Sequence, residues 1–596
     1  MGKIARGEWA WAAGFAALVL AATTLPYLVG GLSQTDGWRF GGFVLGVEDG
    51  NSYIAKMGQG ARGAWLFTLP YSSEPQRGVP LFEFHLLLGK LAGPEHDAQV
   101  WVYHLARILF GFALLLVSYL FLSEFLPDVR SRRLGLVLVA VGGGLGWLLA
   151  LFGLDRLFGS LPVDFYSPEA YTFLILYALP HLAAARCLFL LGLLAYLRGR
   201  GVVAGLALLA ASLIQPLSVL VAWVVIGMDI GLALLPARLR HIAKHPLGRP
   251  YREASPWDAI RMSFAALKTI SISAPFVLYT LYLFSVDPLL KQWNAQNVLP
   301  SPHPLHYVFG YGVLAVFGVG GWRALARRKP ELARFVAGWA LAVPFLLYAP
   351  LTTQRRLMEG FQLPLVALAV LGITNSVGSA RKRGADRSDD RSDAFSRQLP
   401  GADRSDDFRR QLPGAPEVAA ADRSDDFSRQ PPGAPDAQAA APRQFHALLI
   451  IILSVPTSAI LLAGGIAAAR APAEPLFHPA DQLAALDWLS HHAQPGEVVL
   501  SSFETGNALP AYTPLVAYIG HGPESVFLAQ KLPRVAAFYR RSTHAADRRR
   551  LLDDGRIAFV IFGPHERALG DFDLNSVDYL RGRFTSGDYA VYEVTP

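Results

Sequence analysis

Cysteine and charge are what this sequence has little of. Cys187 is the only cysteine among 596 residues, so no intramolecular disulfide can form and cysteine usage does not indicate a redox compartment. Only 17% of the residues are charged, whereas 52% are hydrophobic. This balance exceeds the hydrophobicity of an ordinary soluble domain and predicts an integral membrane protein.

Apolar runs long enough to cross a membrane recur along the chain. About 20 residues are needed to cross a hydrocarbon core of about 30 Å. The first run is longer than the core of a secretory signal and lacks a convincing cleavage site, so we expect an uncleaved anchor. About eleven spans are predicted, at residues 9–32, 100–123, 134–153, 171–197, 201–215, 217–236, 260–284, 305–322, 332–350, 359–377 and 446–469.

Clusters of basic residues in alternate loops set the expected orientation. Basic residues prefer the cytoplasmic side of a membrane, and five clusters fall on the same side as the N-terminus. They are Arg130/Arg132/Arg133, Arg198/Arg200, Arg238/Arg240/Lys244, Arg323/Arg327/Arg328/Lys329 and Arg381/Lys382/Arg383. The N-terminus is therefore expected in the cytoplasm. Loops 33–99, 154–170, 285–304 and 351–358, and the segment after residue 470, are expected outside.

Two segments outside the spans differ in composition. Residues 378–445 carry near-repeats of the form ADRSDD with few large apolar side chains, which predicts a disordered cytoplasmic loop. Its charges cancel, so the net charge of +8 belongs to the other loops. Basic loops on the cytoplasmic side, next to anionic lipid, account for that net positive charge. The charge therefore implies no nucleic-acid partner.

Residues 471–596 alternate between helical and strand patterns. They predict a small extracytoplasmic α/β domain with a partly parallel sheet. Three of its loops, ETGNALPAY, IGHGPES and GPHERALGDFD, follow strands and could bind a ligand there. The alternative is that their Gly and Pro residues only form turns.

The long first outer loop, 33–99, carries two adjacent carboxylates in GVEDGNSYIAKM. Loops of this length are functional or disordered, and this one is too hydrophobic for disorder. Glu48 and Asp49 are therefore candidate functional residues. The alternative is a solvated turn in which Asn51 caps the helix that follows.

Further polar residues are expected at the same membrane level. Arg355 and Arg356 lie on the outer side, against the preference of basic residues, and a planar guanidinium suits phosphate oxygens. Glu359 could pair with one of them, and a salt bridge that pins the loop is the alternative role. Polar side chains at such a depth are functional by default, although a histidine satisfied by backbone is equally ordinary. The other candidates for substrate binding are Tyr53, His181, Gln215, Lys291 and His303.

This architecture resembles the GT-C superfamily of polytopic membrane glycosyltransferases. The resemblance covers roughly residues 1–375 and rests on the acidic pair in a long first outer loop, the many spans and the outer arginines. The chain is also similar to bacterial members through DGNSYIAKM, QRRLMEG and GHGPE. In the family an Asp or Glu of the first loop acts as base or orients the acceptor. The matching position is Asp49, with Glu48 as its partner or substitute.

The resemblance implies transfer of a sugar from a polyprenyl-phosphate-linked donor on the outer face of a bacterial plasma membrane. The expected partners are that donor, membrane lipids and a glycan, lipid or protein acceptor that the sequence does not specify. The first outer loop has no strict DxD motif, so the sequence requires no cofactor there and leaves the need for a divalent metal open. A transporter or flippase is the main alternative, but no repeat among the spans supports it. A sensory protein with an outer binding domain is a third interpretation, disfavoured by so many spans.

Overall fold

The computed structural model describes residues 4–234, 256–375 and 437–595. Across these ranges eight helices are long and apolar enough to cross a membrane, and a bent pair, Gln444–Ser454 with Pro456–Ala469, would make a ninth crossing. The polytopic helical fold is thereby confirmed. The basic clusters at 238–244 and 381–383, and most of the predicted disordered loop 378–445, lie outside the described residues.

Residues 4–234 form eleven α-helices. They are α1 (Arg6–Leu32), α2 (Val47–Ala61), α3 (Glu83–Ala92), α4 (His96–Phe125), α5 (Val129–Val141), α6 (Gly146–Leu151), α7 (Val163–Tyr166), α8 (Thr172–Ala178), α9 (Pro180–Leu197), α10 (Gly201–Ile214) and α11 (Pro216–Leu234). The remaining helices of the membrane core are α12 (Pro256–Val286), α13 (Pro288–Gln296), α14 (Pro304–Arg328), α15 (Pro330–Leu347), α16 (Gln354–Asn375), α17 (Ala437–Ser454) and α18 (Pro456–Ala469). Helix α17 therefore begins nine residues before the predicted span at 446.

Three predicted spans differ in form from simple crossing helices. The run at 171–197 is divided into α8 and α9 at Pro180, because a proline removes a backbone donor and clashes with the preceding turn. Helix α10 has 14 residues, which gives a length of about 21 Å, shorter than a hydrocarbon core. The run at 134–153 is divided into α5 and α6 by its glycines.

Asp164 of α7 accepts hydrogen bonds from backbone N–H groups that the break between α5 and α6 leaves without helical partners. Its Oδ2 accepts hydrogen bonds from the N–H groups of Gly144 (2.9 Å) and Gly146 (3.2 Å) and from the hydroxyl of Thr457 (2.7 Å). Unpaired backbone groups are costly inside a membrane protein. This buried carboxylate therefore joins the broken helix to α18 and explains how the break is tolerated.

A mixed sheet with flanking helices forms the C-terminal unit, as the sequence predicts. Its strands are β3 (Val498–Leu500), β4 (Val516–Ala517), β5 (Ile557–Phe562), β6 (Leu580–Ser586) and β7 (Tyr589–Val594), in the order β4-β3-β5-β7-β6. Strand β3 is parallel to both β4 and β5, and β7 is antiparallel to β5 and β6. Its helices are α19 (Ala480–His492), α20 (Phe503–Tyr512), α21 (Leu528–Phe538), α22 (Ala545–Gly555) and α23 (Pro564–Leu569).

The first loop is interlocked with the C-terminal unit. Strand β1 (Trp38–Phe40) pairs antiparallel with β2 (Phe477–Pro479), and the N–H of Ala517 on the edge strand donates to the carbonyl of Pro70. Tyr71 is fully buried in the core beneath the sheet. Loop residues thus supply part of the core of the C-terminal unit, and the two form one folded body.

The largest hydrophobic core lies within the helical bundle. Trp339 of α15 is fully buried there, with its ring edge against Phe121 of α4 and Phe189 of α9. Two smaller cores lie on the two faces of the C-terminal sheet. The first loop lies between the bundle and the sheet, so residues of both can reach helix α2.

Candidate active site

Helix α2 places the acidic pair in its first turn. The helix begins at Val47, after Gly46 in the left-handed conformation (φ 62°). Glu48 and Asp49 therefore lie at a helix N-terminus, where the helix dipole favours negative charge. The alternative in which Asn51 caps a later helix is wrong, because the helix begins four residues earlier and Asn51 lies inside it.

One face of α2 contacts the loop at residues 520–525 of the C-terminal unit. Glu48, Ser52 and Lys56 are spaced four residues apart, which places them on the same side of a helix. The N–H of Gly522 donates to Glu48 Oε1 at 2.7 Å. The ammonium of Lys56 lies 2.5 Å from Glu524 Oε1, and both side chains are buried. A buried ion pair of this kind fixes the loop against the helix.

Two further contacts align the helix with the C-terminal unit. Asn51 donates from Nδ2 to Asn507 Oδ1 at 2.8 Å, and Asn507 in turn donates to the backbone carbonyl of Glu48 at 3.3 Å. A side chain at Gly520 would clash with the backbone of Gly506, only 2.3 Å from its Cβ position. Glycine at both positions therefore allows the loop that carries His521 to lie directly on helix α20.

His521 is the partner of Asp49 in this interface. Its Nε2 lies 3.3 Å from Asp49 Oδ1, and its Nδ1 accepts the backbone N–H of Glu524 at 3.4 Å. In the neutral ring this second bond assigns the proton to Nε2, so the imidazole donates to Asp49. Burial lowers the pKa of His521, but the negative charges of Glu524 and Asp49 outweigh it and raise the pKa above its ordinary value.

Asp49 is surrounded by protein groups on one side, and its carboxylate is exposed on the other. Burial raises the pKa of Asp49, but the hydrogen bond and charge of His521 outweigh it, with smaller contributions from Arg356 and Lys56. The net pKa therefore lies below the ordinary value. The side chain is nevertheless 61% exposed, because the carboxylate faces open space on one side. Asp49 Oδ2 has no hydrogen-bond partner among the described residues, so an ionised oxygen is free to accept a proton.

Aromatic and imidazole rings line the adjoining side of the site. Tyr53, one turn after Asp49, stacks on His85 of α3 with ring centroids 4.7 Å apart, and both rings lie 4.9 Å from His181 of α9. His85 is buried, yet neither ring nitrogen has a partner in the parts of the chain that the structure describes, and the same holds for His181 Nδ1. Burial, with His181 and Lys56 nearby, holds the pKa of His85 well below its usual range.

Only one of the two predicted arginines reaches this site. The charge of Arg356 contributes to the low pKa of Asp49 and also acts on Tyr53. Its Nε lies 3.8 Å from Glu169 Oε1, and its side chain is 36% exposed. Arg355 instead stacks over the ring of Tyr166 at 4.5 Å. Arg356 is therefore the arginine positioned to meet a ligand beside Asp49.

Glu359 has a different partner from the expected one. Its Oε1 lies 2.5 Å from Nε of Arg186 on α9, with both side chains buried. Pairing with Arg355 or Arg356 is therefore wrong. Arg186 also donates to the carbonyls of Pro168 and Glu169, so the pair joins α9, α16 and the loop before α8.

Three other candidate residues make no described contact with Asp49 or its neighbours. Gln215 ends α10 and its carbonyl accepts from Ser218. Lys291 is exposed on α13. His303 is exposed, caps α14 through Nδ1 and stacks on Phe158 at 4.3 Å. The site that the structure assembles is made of Asp49, Tyr53, His181, Arg356 and His521, named the Asp49 site below.

The sequence contained a signal for most of the residues that the candidate set missed. Ser52 and Lys56 belong to DGNSYIAKM, Asn507 to ETGNALPAY, and His521 and Glu524 to GHGPE. These patterns are visible in the sequence, but nothing in the sequence indicates that they meet in the fold. Glu169 carried no such signal. No group of three or more His, Cys, Asp or Glu side chains within 4–234, 256–375 and 437–595 could hold a metal ion.

No family model matches the chain, and no curated protein matches it in sequence. Solved structures do match. The apo oligosaccharyltransferase of Archaeoglobus fulgidus superposes with a TM-score of 0.50 at 14% identity, over 96% of this chain and 72% of that chain. The chain has the GT-C fold. The apo structure of ArnT from Cupriavidus metallidurans matches with a TM-score of 0.45 at 16% identity, over 97% of both chains. The resemblance to GT-C proteins that the sequence indicated is therefore confirmed at the level of the GT-C fold.

Proposed function

We propose that the protein is a membrane glycosyltransferase that moves a sugar from a polyprenyl-phosphate-linked donor to an acceptor hydroxyl. The GT-C fold supports the class of reaction. The observation that carries the proposal is Asp49, whose pKa is lowered against the effect of burial by the hydrogen bond and charge of His521, while its side chain stays 61% exposed. A carboxylate that is ionised, oriented and open is what a general base requires.

Asp49 acts as the base in this proposal. The acceptor oxygen attacks the anomeric carbon and its proton passes to Asp49 Oδ2, the oxygen that His521 leaves free. The bond between the anomeric carbon and the phosphate oxygen breaks, and its electron pair leaves with the lipid phosphate. A phosphate leaves without a protonating acid, so a single carboxylate suffices, unlike the pair that glycoside hydrolases use.

Arg356 stabilises the departing phosphate. Charge develops on the phosphate oxygens as the sugar bond breaks, and a preorganised cation at that position lowers the barrier. Arg356 is half-buried beside Asp49, and its one ion pair within the described parts of the chain is a loose one, to Glu169 at 3.8 Å. It can therefore turn to a phosphate without breaking a tight ion pair. Arg355 takes a supporting position, stacked on Tyr166.

Tyr53, His85 and His181 receive the sugar. Sugar hydroxyls both donate and accept hydrogen bonds, and the unpartnered nitrogens of His85 and His181 are suited to them. The ring of Tyr53 is stacked on His85 with centroids 4.7 Å apart, so Tyr53 fixes the position of that imidazole. Gln215, Lys291, His303 and Glu359 stay candidates at the same end of the bundle, with Glu359 acting through Arg186.

We further propose that the Asp49 site faces the outside of a bacterial plasma membrane. The basic clusters in alternate loops support a cytoplasmic N-terminus. Residues 471–596 then form an extracytoplasmic unit, since they contact the same helix α2 that carries Asp49. The segment 378–445 would be a cytoplasmic loop.

The decisive experiment is transfer of labelled sugar from a panel of polyprenyl-phosphate sugars by the full-length protein in vesicles. Asp49→Asn keeps the shape but loses proton affinity, so turnover should fall by about a hundredfold or more, the scale of general base catalysis. Donor-lipid binding should change little. Arg356→Ala should instead weaken donor binding, and more than Arg355→Ala does.

The matched control is Asp36→Asn, which removes an exposed carboxylate of the same loop and should transfer like wild type. Wild-type turnover by Asp49→Asn would exclude Asp49 as the base. Absence of transfer from every donor, together with uptake or flipping of one of them, would favour the transporter.

A further inference from the structure

A second site lies at the opposite end of the bundle. A cavity of about 680 Å³ opens between α9, α10, α11, α12 and α15. It is lined at the end of α9 by Tyr196, whereas His181 of the Asp49 site lies at the start of the same helix. With 18 residues, α9 is about 27 Å long. The cavity is therefore separated from the Asp49 site by most of the thickness of a membrane.

The floor of this cavity is a buried, fixed polar network. Nε of Arg334 lies 2.8 Å from Asp229 Oδ1, and the hydroxyl of Tyr196 donates to Asp229 Oδ2 at 2.9 Å. Asp229 is 2% exposed and Arg334 is 9% exposed. Asp229 neutralises Arg334, so the network shapes the cavity without adding net charge.

Three further cations surround the mouth. Arg200, Arg261 and Lys268 line the cavity, and all three are exposed. None of them forms an ion pair with another described residue. Among the described residues that line the cavity, Glu331 is the only additional carboxylate. The mouth therefore carries an excess of positive charge.

Apolar side chains open to the bundle exterior adjoin these cations. Val202, Val203 and Phe264 line the cavity and are 49%, 54% and 59% exposed. In a membrane protein such surfaces contact acyl chains. A cationic mouth beside an acyl-facing wall is complementary to a molecule with an anionic head and two apolar tails.

We propose that this cavity binds the headgroup of an anionic phospholipid. The phosphate lies among Arg200, Arg261 and Lys268, and the acyl chains run along Val203 and Phe264. Basic recesses between helices on the cytoplasmic side hold anionic headgroups in this manner. The basic loops predict that this end of the bundle is cytoplasmic, where anionic lipids are enriched. The site is separate from the sugar chemistry and does not rest on it.

The test is a titration of the full-length protein in detergent micelles with phosphatidylglycerol, read out as bound lipid by native mass spectrometry. Phosphatidylcholine is the comparison lipid. The triple variant Arg200→Gln/Arg261→Gln/Lys268→Gln should bind phosphatidylglycerol roughly a hundredfold more weakly, since each of the three cations contributes about 1 kcal/mol. Val203→Trp keeps every charge but narrows the mouth, and should also weaken binding.

The matched control is Arg130→Gln/Arg323→Gln/Arg327→Gln. It removes three exposed cations from the same predicted face but none from the cavity, and should bind like wild type. Equal loss in the control, or wild-type binding by both cavity variants, would overturn the proposal. Full competition by inorganic phosphate at the concentration of the lipid would show a phosphate site in place of a lipid site.

Discussion

Asp49 and Glu359 are both carboxylates held by cations, yet their surroundings give them opposite properties. Glu359 is buried with Arg186, which also donates to two backbone carbonyls and to the hydroxyl of Thr172. Asp49 is 61% exposed, and its carboxylate makes a single, longer hydrogen bond to a described residue, His521. The charge of Glu359 is fully paired and holds three segments of the chain together. The charge of Asp49 is oriented by His521, while one carboxylate oxygen stays accessible. The comparison teaches that the availability of a carboxylate, and not its presence, distinguishes a chemical group from a structural one.

The largest effect on stability is expected at the buried pair. Glu359→Gln leaves the Arg186 charge buried without its counter-ion, which costs about 3–5 kcal/mol of unfolding free energy. Thermal unfolding of the protein in detergent would measure this loss. Asp49→Asn should change the unfolding temperature little, because its side chain is open to solvent.

A double variant sharpens the same comparison. Replacing both partners, as Arg186→Met/Glu359→Met, removes the unpaired charge and should recover part of the lost stability. If Glu359→Gln unfolds at the wild-type temperature, the ion pair does not hold the bundle together. Glu359 would then not have the structural role that distinguishes it from Asp49.

An intermediate effect is expected for the group that orients Asp49. His521→Gln keeps a donor but removes the positive charge that lowers the pKa of Asp49. Burial then raises that pKa, so the carboxylate is protonated at higher pH. The acid limb of the pH profile of transfer should therefore move to higher pH, with a loss of turnover at neutral pH of roughly twofold to tenfold.

The control for this profile is His491→Gln, since His491 is 69% exposed on α19 and remote from α2. Its profile should match that of the wild type. An acid limb that stays in place in His521→Gln, with turnover reduced, would mean that His521 has only a structural role in docking the loop.

The smallest effect is expected at the other member of the acidic pair. Glu48→Gln keeps an oxygen that can accept the N–H of Gly522, and a neutral hydrogen bond of this kind contributes about 0.5–1.5 kcal/mol. Because the acceptor is retained, turnover in the same transfer assay should fall by only about twofold, the low end of that range. A greater loss in Glu48→Gln than in Asp49→Asn would exchange the roles of the two residues.

Helices and strands were largely predictable, because hydropathy and periodicity are local. Most predicted spans correspond to helices of the structure, and the C-terminal unit has the expected partly parallel sheet. The break at Gly144 was not expected. It depends on Asp164 and Thr457, which are distant in sequence and satisfy the opened backbone only after folding.

The site was predictable in its parts but not in its assembly. Asp49 and Tyr53 could be named from the sequence because they lie in a long outer loop that is too hydrophobic for disorder, and His181 and Arg356 because polar residues are unusual at the outer end of an apolar span. Their meeting with His521 depends on how the C-terminal unit lies on α2. Asp49 and His521 are 472 residues apart, and a contact over that distance produces no periodic pattern in the sequence. Glu359 was assigned the wrong partner for the same reason, since Arg186 is on another helix.

That separation also sets an order of events during synthesis. Asp49 leaves the ribosome 472 residues before His521, and at about 5–20 residues per second the interval is roughly 20 to 100 s. During that time helix α2 lacks Gly522, His521 and Glu524, and the ammonium of Lys56 lacks the partner beside which it is later buried. Each newly made copy is therefore inserted into the membrane with an incomplete Asp49 site. The site is complete only when the last part of the chain has folded back onto the first loop.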